Sequence, residues 1–267
     1  NNVTATAKNN AVMIATSAGA VKLTINDSDL TGLAVVNVAG AGAEVEINNT
    51  DITNVDASSA ENYGAITIWS SAEAANVTVN GGNITVGDDS REAYVFPADA
   101  TIEGVEDVGY IVATIGDAGF ETLEAAIKAA KAGQTIKLIR DVTSSEIITI
   151  DKAITLDLNG KKVTATSQKA FEIYADATIM NGTIEAAQRC VDTRKAVELT
   201  LTDVNLIADK YTTHGNPQPL TIGGSENGTK VNMTNVNISA AAGYGIITFV
   251  KTALNATGRT TSGYNAL

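Results

Sequence analysis

Several residue types are scarce in this chain of 267 residues, and each scarcity excludes a class of protein. A single cysteine excludes an intrachain disulfide framework and argues against a zinc site built from thiolates. We therefore expect Cys190 to be a small buried apolar residue. There is one histidine and one tryptophan, and aromatic residues make up 4% of the chain. No apolar run approaches the roughly 18 residues that a membrane-spanning helix needs, so no membrane span is expected in this chain.

Basic residues are also scarce: the chain has 18 basic and 30 acidic residues, and its formal net charge is −12. An acidic surface repels phosphate backbones, so nucleic acid is not an expected partner. Threonine, valine and isoleucine favour strands, while asparagine and glycine favour turns, and together they predict many short strands joined by tight turns. The chain does not begin with methionine, and we expect it to be a piece of a longer protein.

A short motif recurs along the chain: alternating apolar residues, a polar turn centred on asparagine, and another apolar residue. It is clearest at Val21–Leu30, Val45–Ile52 and Val77–Ile84, and later copies begin at Ile154, Thr178, Val197 and Val231. The apolar residue just before the turn marks each copy, and these markers are Ile25, Ile47, Val79, Leu158, Met180, Leu201, Met233 and Leu254. Within each half of the chain, most steps between markers are close to 22 residues, and the others are about ten residues longer.

This spacing predicts an all-β fold, a right-handed parallel β-helix whose coils hold about 22 residues. Three short strands and three turns fill one coil, and a longer step adds a loop to the same coil. Each coil leaves its apolar inner face open until another coil stacks on it. Asparagine suits the recurring turn because it tolerates left-handed backbone geometry and can form stacked ladders. The alternative is a β-sandwich, which would place hairpin turns such as Asn159-Gly160 between antiparallel strands.

A longer repeat is superimposed on the short one. Residues 62–85 align without gaps on residues 216–239, at an offset of 154 that relates, for example, Val77 to Val231. The same offset relates Gly104 to Gly258. We therefore expect tandem modules of about 155 residues.

One amphipathic segment interrupts the strand pattern and predicts a helix at about 120–132. Its apolar residues Phe120, Leu123, Ile127 and Ala130 share one face, and Gly133 is a good terminator. Because a stack of coils needs its open end covered, we expect this helix to cap the coils that follow it, with a short strand at 111–115 leading into it. The predicted organisation is coils of a first module at 1–108, a junction strand and capping helix at 109–134, and coils of a second module at 135–267.

Three runs in the second half carry a family resemblance: Ala113–Ile127, Gly133–Val142 and Ile154–Lys161. Together they resemble pectate-lyase-like β-helix modules of large bacterial surface proteins, which are common in Gram-positive gut bacteria. The resemblance implies repeated modules carried outside the cell, as adhesins or stalks. It implies no catalytic residues.

An enzyme of the β-helix class is the main functional alternative. Asn49-Thr50-Asp51, Gly87-Asp88-Asp89 and Thr213-His214-Gly215 echo the order of motifs in pectin hydrolases, but no Arg-x-Lys follows and the pieces lie several coils apart. A lyase needs clustered carboxylates with an arginine or lysine base. The charges around Asp88 and Asp89 and the basic group Arg189, Arg194 and Lys195 are interpreted as solvated surface. No catalytic, cofactor or metal residue is predicted, and the acidic turns are compatible with calcium but lack the spacing of a calcium site.

Aromatic residues gather near the long coils, at Tyr63, Trp69, Tyr211 and Tyr244. Exposed rings on a rigid face can stack on sugars, so these four residues form the predicted ligand-binding face. The sequence thus predicts a non-catalytic, extracellular tandem β-helix acting as an adhesin, stalk or fibre segment. Its expected partners are glycans or proteins on host or bacterial surfaces, and neighbouring modules end to end.

Overall fold

The computed structural model describes residues 2–55, 63–87, 90–208, 217–224, 226–258 and 262–265. The chain divides into two compact units, unit 1 at Asn1–Ile111 and unit 2 at Val112–Leu267. Both units consist mainly of short strands in parallel sheets, so the all-β prediction is confirmed.

Unit 1 contains thirteen strands within its described residues. They are β1 (Thr4–Thr6), β2 (Val12–Ile14), β3 (Lys22–Asn26), β4 (Asp29–Gly32), β5 (Val36–Val38), β6 (Glu44–Asn48), β7 (Asp51–Asn54), β8 (Ile66–Ile68), β9 (Asn76–Asn80), β10 (Ile84–Thr85), β11 (Ala93–Val95), β12 (Thr101–Glu103) and β13 (Val108–Tyr110). A 3-10 turn, Thr16–Ala18, follows β2.

The strands of unit 1 form three sheets, which the chain visits in a repeating order. One sheet contains β1, β4, β7 and β10, the five-stranded sheet contains β2, β5, β8, β11 and β13, and the last contains β3, β6, β9 and β12. Each described pair is parallel. We call three consecutive strands, one from each sheet, a layer. Hairpin pairing is absent from the described part of unit 1, so the sandwich alternative is wrong here.

Unit 2 contains the single α-helix of the described residues, α1 (Leu123–Ala129). Its strands are β14 (Ala113–Ile115), β15 (Ala118–Phe120), β16 (Thr135–Leu138), β17 (Val142–Ser144), β18 (Ile148–Ile150), β19 (Ile154–Asp157), β20 (Lys162–Ala165), β21 (Lys169–Ile173), β22 (Ala177–Glu185), β23 (Arg189–Thr193), β24 (Glu198–Ala208), β25 (Leu220–Ile222), β26 (Thr229–Thr234), β27 (Asn237–Tyr244), β28 (Ile246–Thr248), β29 (Thr252–Thr257) and β30 (Ser262–Asn265).

From β16 onward, unit 2 follows the same layered order. Its five-stranded sheet contains β18, β21, β23, β25 and β28, and its larger sheet contains the other two strands of every layer. In β22 and β24 these two strands run together into one long bent strand. Antiparallel pairing in the described residues is confined to β14 with β15 and β14 with β16, at the start of the unit.

The helix is shorter than predicted, because a hairpin precedes it. Phe120 lies in β15, and Thr122 caps the helix by accepting a hydrogen bond from the Ala125 N–H at 3.0 Å. The backbone leaves the helical conformation at Ala130, before Gly133. The predicted apolar face holds for Leu123, Ile127 and Ala130, which are buried. The helix packs on β14, β15, β16 and β18, and the last two strands belong to the first layer of unit 2.

The recurring turn adopts the left-handed backbone conformation that the sequence predicted. Positive φ angles occur at equivalent places in the two units: Asp27 and Asn181, Asn49 and Asp203, Gly81 and Asn235, and Gly104 and Gly258. Each pair is 154 residues apart in sequence. The turns also stack, since the Asn48 amide donates to Asn26 Oδ1 at 2.8 Å and the Asn80 amide donates to Asn48 Oδ1 at 2.9 Å. The structure therefore carries the long repeat in its backbone.

Register confirms some marker residues and corrects others. Ile25, Ile47 and Val79 stack in one row, as predicted. In unit 2 the matching row is Leu156, Ile179, Leu201, Met233 and Ala256. Leu158, Met180 and Leu254 lie outside this row, so their assignment as markers is wrong. Side chains of a strand alternate between its two faces, so Met180 points to the face opposite that of its neighbour Ile179, which is fully buried in the core.

Each unit buries its own apolar core, formed by the inward residues of its layers. Cys190 is fully buried in the core of unit 2, as predicted, and its thiol donates to the carbonyl oxygens of Ile184 and Ile207 at 3.3 and 3.2 Å.

Candidate functional site

Five charged residues gather on the outer face of the five-stranded sheet of unit 2, and we call them the charged cluster. They are Lys169 and Glu172 from β21, Arg189 and Asp192 from β23, and Arg194 just after β23. The two strands are parallel neighbours, with Lys169 beside Arg189 and Glu172 beside Asp192. Phe171 and Val191 point into the core between them, which leaves the charged side chains together on the outside.

Asp192 is the centre of the cluster, with a side chain that is 0% exposed. Its Oδ2 receives Lys169 Nζ at 2.8 Å and Arg189 NH1 at 2.9 Å. Arg194 NH1 lies 3.6 Å from the same oxygen. A buried carboxylate is costly unless it is paired and hydrogen-bonded, so these cations are what make its burial possible.

Glu172 is the second anion of the cluster. Lys169 Nζ lies 2.7 Å from its Oε1, and the Tyr174 hydroxyl donates to its Oε2 at 3.1 Å. Burial alone would raise the pKa of Glu172, but the hydrogen bond and charge of Lys169, with Tyr174 and Arg194, outweigh burial and lower it. For Arg194 burial acts in the opposite direction and would lower the pKa, but the interactions with Asp192, Tyr174 and Glu172 outweigh burial and raise the pKa of Arg194. The fully charged state of both groups is therefore favoured.

The charges and hydrogen bonds of the cluster are not fully balanced within it. Three cations face two carboxylates, which leaves an excess of one positive charge in a protein of net charge −12. Two of its buried polar atoms, Asp192 Oδ1 and Arg189 Nε, have no hydrogen-bond partner. The same holds for Oε1 of Gln218, whose N–H donates to the carbonyl oxygen of Gln188, next to Arg189. A buried acceptor and a buried donor without partners each carry a cost of about 1–3 kcal/mol.

The equivalent layers of unit 1 have no such cluster. Register places Val12, Val36 and Ile66 of unit 1 in the same pattern as Phe171, Val191 and Leu220 of unit 2. Counting along the strands from these rows, the counterparts of the five charged residues are Asn10, Met13, Ala34, Asn37 and Ala39, none of which is charged. The fold can therefore form these layers without the five charges.

The predicted aromatic face is brought together only in part. Tyr63 and Trp69 lie edge to face in unit 1, with ring centroids 5.5 Å apart, and both are half-buried. Trp69 also stacks on Phe96, a residue that the sequence did not single out, at 5.0 Å. Tyr244 lies in unit 2 and is 43% exposed. Tyr211 lies outside the described residues.

Two of the charged residues around Asp88 and Asp89, namely Arg91 and Glu92, have local structural roles. Glu92 accepts a hydrogen bond from the backbone N–H of Glu106 at 3.0 Å, and Arg91 pairs with Asp107. Asn49-Thr50-Asp51 is the recurring turn, as expected. Asp88, Asp89 and Thr213-His214-Gly215 lie outside the described residues. The interpretation as solvated surface is wrong for Arg189, which is 21% exposed and pairs with the buried Asp192. Arg194 also faces Asp192 but is 38% exposed, and Lys195 is exposed as predicted.

A break in alternation explains why the sequence did not reveal the cluster. On a regular strand, residues three apart point to opposite faces, so Lys169 and Glu172 would not meet. In β21, however, Ala170 and Phe171 are both buried, which puts the flanking Lys169 and Glu172 on the same side. The only signal in the sequence is a basic residue three places before an acidic one in two neighbouring layers.

Among the described residues, no group of three or more histidine, cysteine, aspartate or glutamate side chains is arranged to hold a metal ion. No helix in the described part of the chain is long and apolar enough to cross a membrane. Comparisons with protein families, with curated proteins and with solved structures found no match.

Proposed function

We propose that the chain is a stretch of a right-handed parallel β-helix with tandem modules, serving as a non-catalytic adhesin or stalk segment outside a bacterial cell. The observation that carries the proposal is the recurrence of the left-handed turn at four pairs of positions 154 residues apart. Parallel pairing and the repeating order of sheets support a helical winding, and parallel crossovers are nearly always right-handed. Modules that repeat a backbone so closely suit a spacer, whose task is length and stiffness.

Side-chain ladders between layers support the same proposal. In unit 1 the Asn49 amide donates to Asp27 Oδ1 at 2.8 Å, and in unit 2 the Asn235 amide donates to Asp203 Oδ1 at 3.0 Å. These bonds join equivalent turns of successive layers, so each layer stiffens the next. The resemblance of Ala113–Ile127 and the two following runs to modules of bacterial surface proteins gives the proposed location, outside the cell.

A second candidate, a carbohydrate-active enzyme, is favoured by one observation. The charged cluster is present in unit 2 and absent from the equivalent layers of unit 1. Because the layers form without the cluster in unit 1, a purely structural role does not explain its presence in unit 2. Its carboxylates are poor candidates for general acids, because Glu172 has a lowered pKa and Asp192 is paired with three cations. We therefore place it second.

A depolymerisation screen separates the two candidates. The protein is incubated with polyuronides and neutral polysaccharides, with and without calcium, and new reducing ends and unsaturated products are measured. The spacer proposal predicts no product above that of a heat-denatured control. Product that disappears in Arg194→Gln but persists in Lys22→Gln, the same change of charge on an exposed side chain of unit 1, would overturn it.

A further inference from the structure

We propose that Asn80 is a site of spontaneous deamidation, the modification that converts an asparagine followed by glycine into aspartate or isoaspartate. The sequence contains four Asn-Gly pairs, and the fold leaves one of them, Asn80-Gly81, free to react. The inference goes beyond the proposed function, because it depends on the turn after β9 and on no ligand or cellular location.

The reaction needs a glycine nitrogen that can move toward the preceding side chain. The amide nitrogen of Gly81 loses its proton to a solvent base and attacks Cγ of Asn80, and the carboxamide nitrogen departs as ammonia. Water then opens the cyclic imide. Attack of water at the side-chain carbonyl gives aspartate, and attack at the main-chain carbonyl gives isoaspartate, whose chain continues through the side chain. Glycine favours the first step because it has no Cβ to hinder the attack.

The backbone restrains the glycine of the other three pairs. The Gly160 N–H donates to the carbonyl oxygen of Asn181 at 2.6 Å, and the Gly228 N–H donates to that of Lys251 at 3.0 Å. Gly182 lies inside the long strand β22, which pairs with β24 along this stretch. Attack moves the nitrogen out of its peptide plane, so these pairs react only after local opening of the layers.

The pair Asn80-Gly81 lacks this restraint. Both residues are exposed, and β9 ends at Asn80. Within the described part of the chain, the Gly81 N–H donates to no acceptor. A Cβ added to Gly81 would meet nothing within 4 Å, so the nitrogen can move without displacing a neighbour.

Deamidation changes the asparagine ladder of unit 1. The Asn80 amide donates to Asn48 Oδ1 at 2.9 Å, and the Asn48 amide donates to Asn26 Oδ1 at 2.8 Å. A carboxylate at position 80 has no hydrogen to donate. The ladder keeps both bonds only if the amides of Asn48 and Asn26 turn over and donate in the opposite direction.

Isoaspartate also changes the main chain of the turn. It adds one backbone atom shortly before Gly82, which packs so closely on the Thr50 carbonyl oxygen that an added Cβ would collide with it. The N–H groups of Asn49 and Ile52 donate to carbonyl oxygens on either side of this turn at 2.9 and 2.8 Å. We therefore expect isoaspartate to weaken both hydrogen bonds between these layers.

The test compares all four pairs in one sample. The whole chain is incubated at mildly alkaline pH, folded and in urea, and peptide mapping by mass spectrometry measures aspartate and isoaspartate at Asn80, Asn159, Asn181 and Asn227. In the folded chain Asn80 should react about tenfold or more faster than each of the other three, and in urea the four rates should converge. Protection of Asn80 equal to that of the others, or an unchanged preference for Asn80 in urea, would overturn the proposal.

A substitution of the attacking residue has a matched control in unit 2. Gly81→Ala should slow the reaction of Asn80 by about tenfold or more, because a methyl group hinders the attack. Gly160→Ala should leave the rate at Asn80 unchanged, and it carries the same strain, since φ is +76° at both glycines and neither added Cβ meets an atom within 4 Å. Equal rates at Asn80 in the two variants would refute attack by Gly81. If Gly81→Ala unfolds, Asn80→Gln should remove the product, because its longer side chain closes the imide far more slowly.

Hydrogen exchange measures the structural effect in aged protein. The amides of Asn49 and Ile52 should exchange faster than in fresh protein, while those of Asp203 and Leu206, their counterparts 154 residues later, should not change. Equal acceleration in both units, or none at Asn49 and Ile52 once isoaspartate has formed, would contradict the local effect on the turn.

Discussion

Lys152 connects the capping helix to the layers below it and provides a sensitive test of the packing. Its ammonium group donates to the carbonyl oxygens of Ile127, Lys128 and Ala130 at 2.8, 2.9 and 2.9 Å. These carbonyls lie at the C-terminal end of α1, where the last turn of a helix lacks internal partners. A cation there also interacts favourably with the negative end of the helix dipole.

We predict that Lys152→Met destabilises the docked helix by about 2 kcal/mol. A cation at a helix C-terminus contributes about 0.3–1 kcal/mol at the surface and up to about 2 kcal/mol where it is partly buried, and Lys152 is half-buried. Methionine retains most of the apolar stem, so the loss reports the charge and its three hydrogen bonds. A loss of about 2 kcal/mol corresponds to roughly 30-fold faster opening of the helix.

The assay is hydrogen exchange of the helix amides, including Ala126 and Ala130, whose N–H groups donate to Thr122 and Ala126. Lys128→Met is the matched control, because Lys128 is exposed on the helix itself. We expect faster exchange in the Lys152 variant and almost none of this effect in the control. Equal exchange in both variants would refute the assignment of Lys152 as the helix cap.

Three further predictions concern the layers and the cluster. Gly104→Ala should lower the free energy of unfolding, measured in urea, by about 3 kcal/mol, because φ is +77° and the new Cβ would meet the Val79 carbonyl oxygen. Gly81→Ala is the control, since Gly81 has a similar φ but open space around it, and its loss should be clearly smaller. Equal losses in the two variants would contradict the packing around Gly104. Leu201→Ala removes a fully buried side chain and should lower the free energy of unfolding by about 2–5 kcal/mol; a loss below about 1 kcal/mol would contradict its core position. Glu172→Gln should make the stability of the protein less sensitive to acid. Because the pKa of Glu172 is lowered in the folded state, its carboxylate stabilises the native state above pH 4.5, and this stabilisation is lost as the pH falls through the folded-state pKa. The difference in unfolding free energy between wild type and variant should therefore narrow below pH 4.5, and a constant difference would contradict the direction of the pKa shift.

The layered organisation could be predicted from sequence because its signals are local and repeated. Alternation of apolar and polar residues identifies strands, and the asparagine-centred turn marks one corner of each layer with a backbone geometry that few residues tolerate. The register could be predicted less well. Ile179 and Met180 are both apolar neighbours, and only stacking on Leu201 decides which of them faces the core.

The helix boundaries and the charged cluster depend on tertiary contacts that local patterns do not contain. Phe120 fits the apolar face of a helix, but pairing of β15 with β14 draws it into a strand. Lys152 lies 22 to 25 residues from the carbonyls that it caps. The position of Asp192 in the stack is buried, and cations from two layers compensate its charge there, whereas sequence patterns of charge alone are typical of a solvated face.

Engineered disulfides test the stacking of parallel layers most directly. Thr178 and Thr200 are register partners on the outer face of β22 and β24, and neighbouring strands lie about 4.8 Å apart, within the range that a disulfide spans. A parallel stack in this register predicts that the Thr178→Cys, Thr200→Cys double variant forms an intrachain disulfide rapidly on mild oxidation. The Thr178→Cys, Thr202→Cys variant, shifted by two residues, should form it poorly. Cross-linking of the shifted pair in preference to the register pair would contradict the parallel stack on which the proposed β-helix depends.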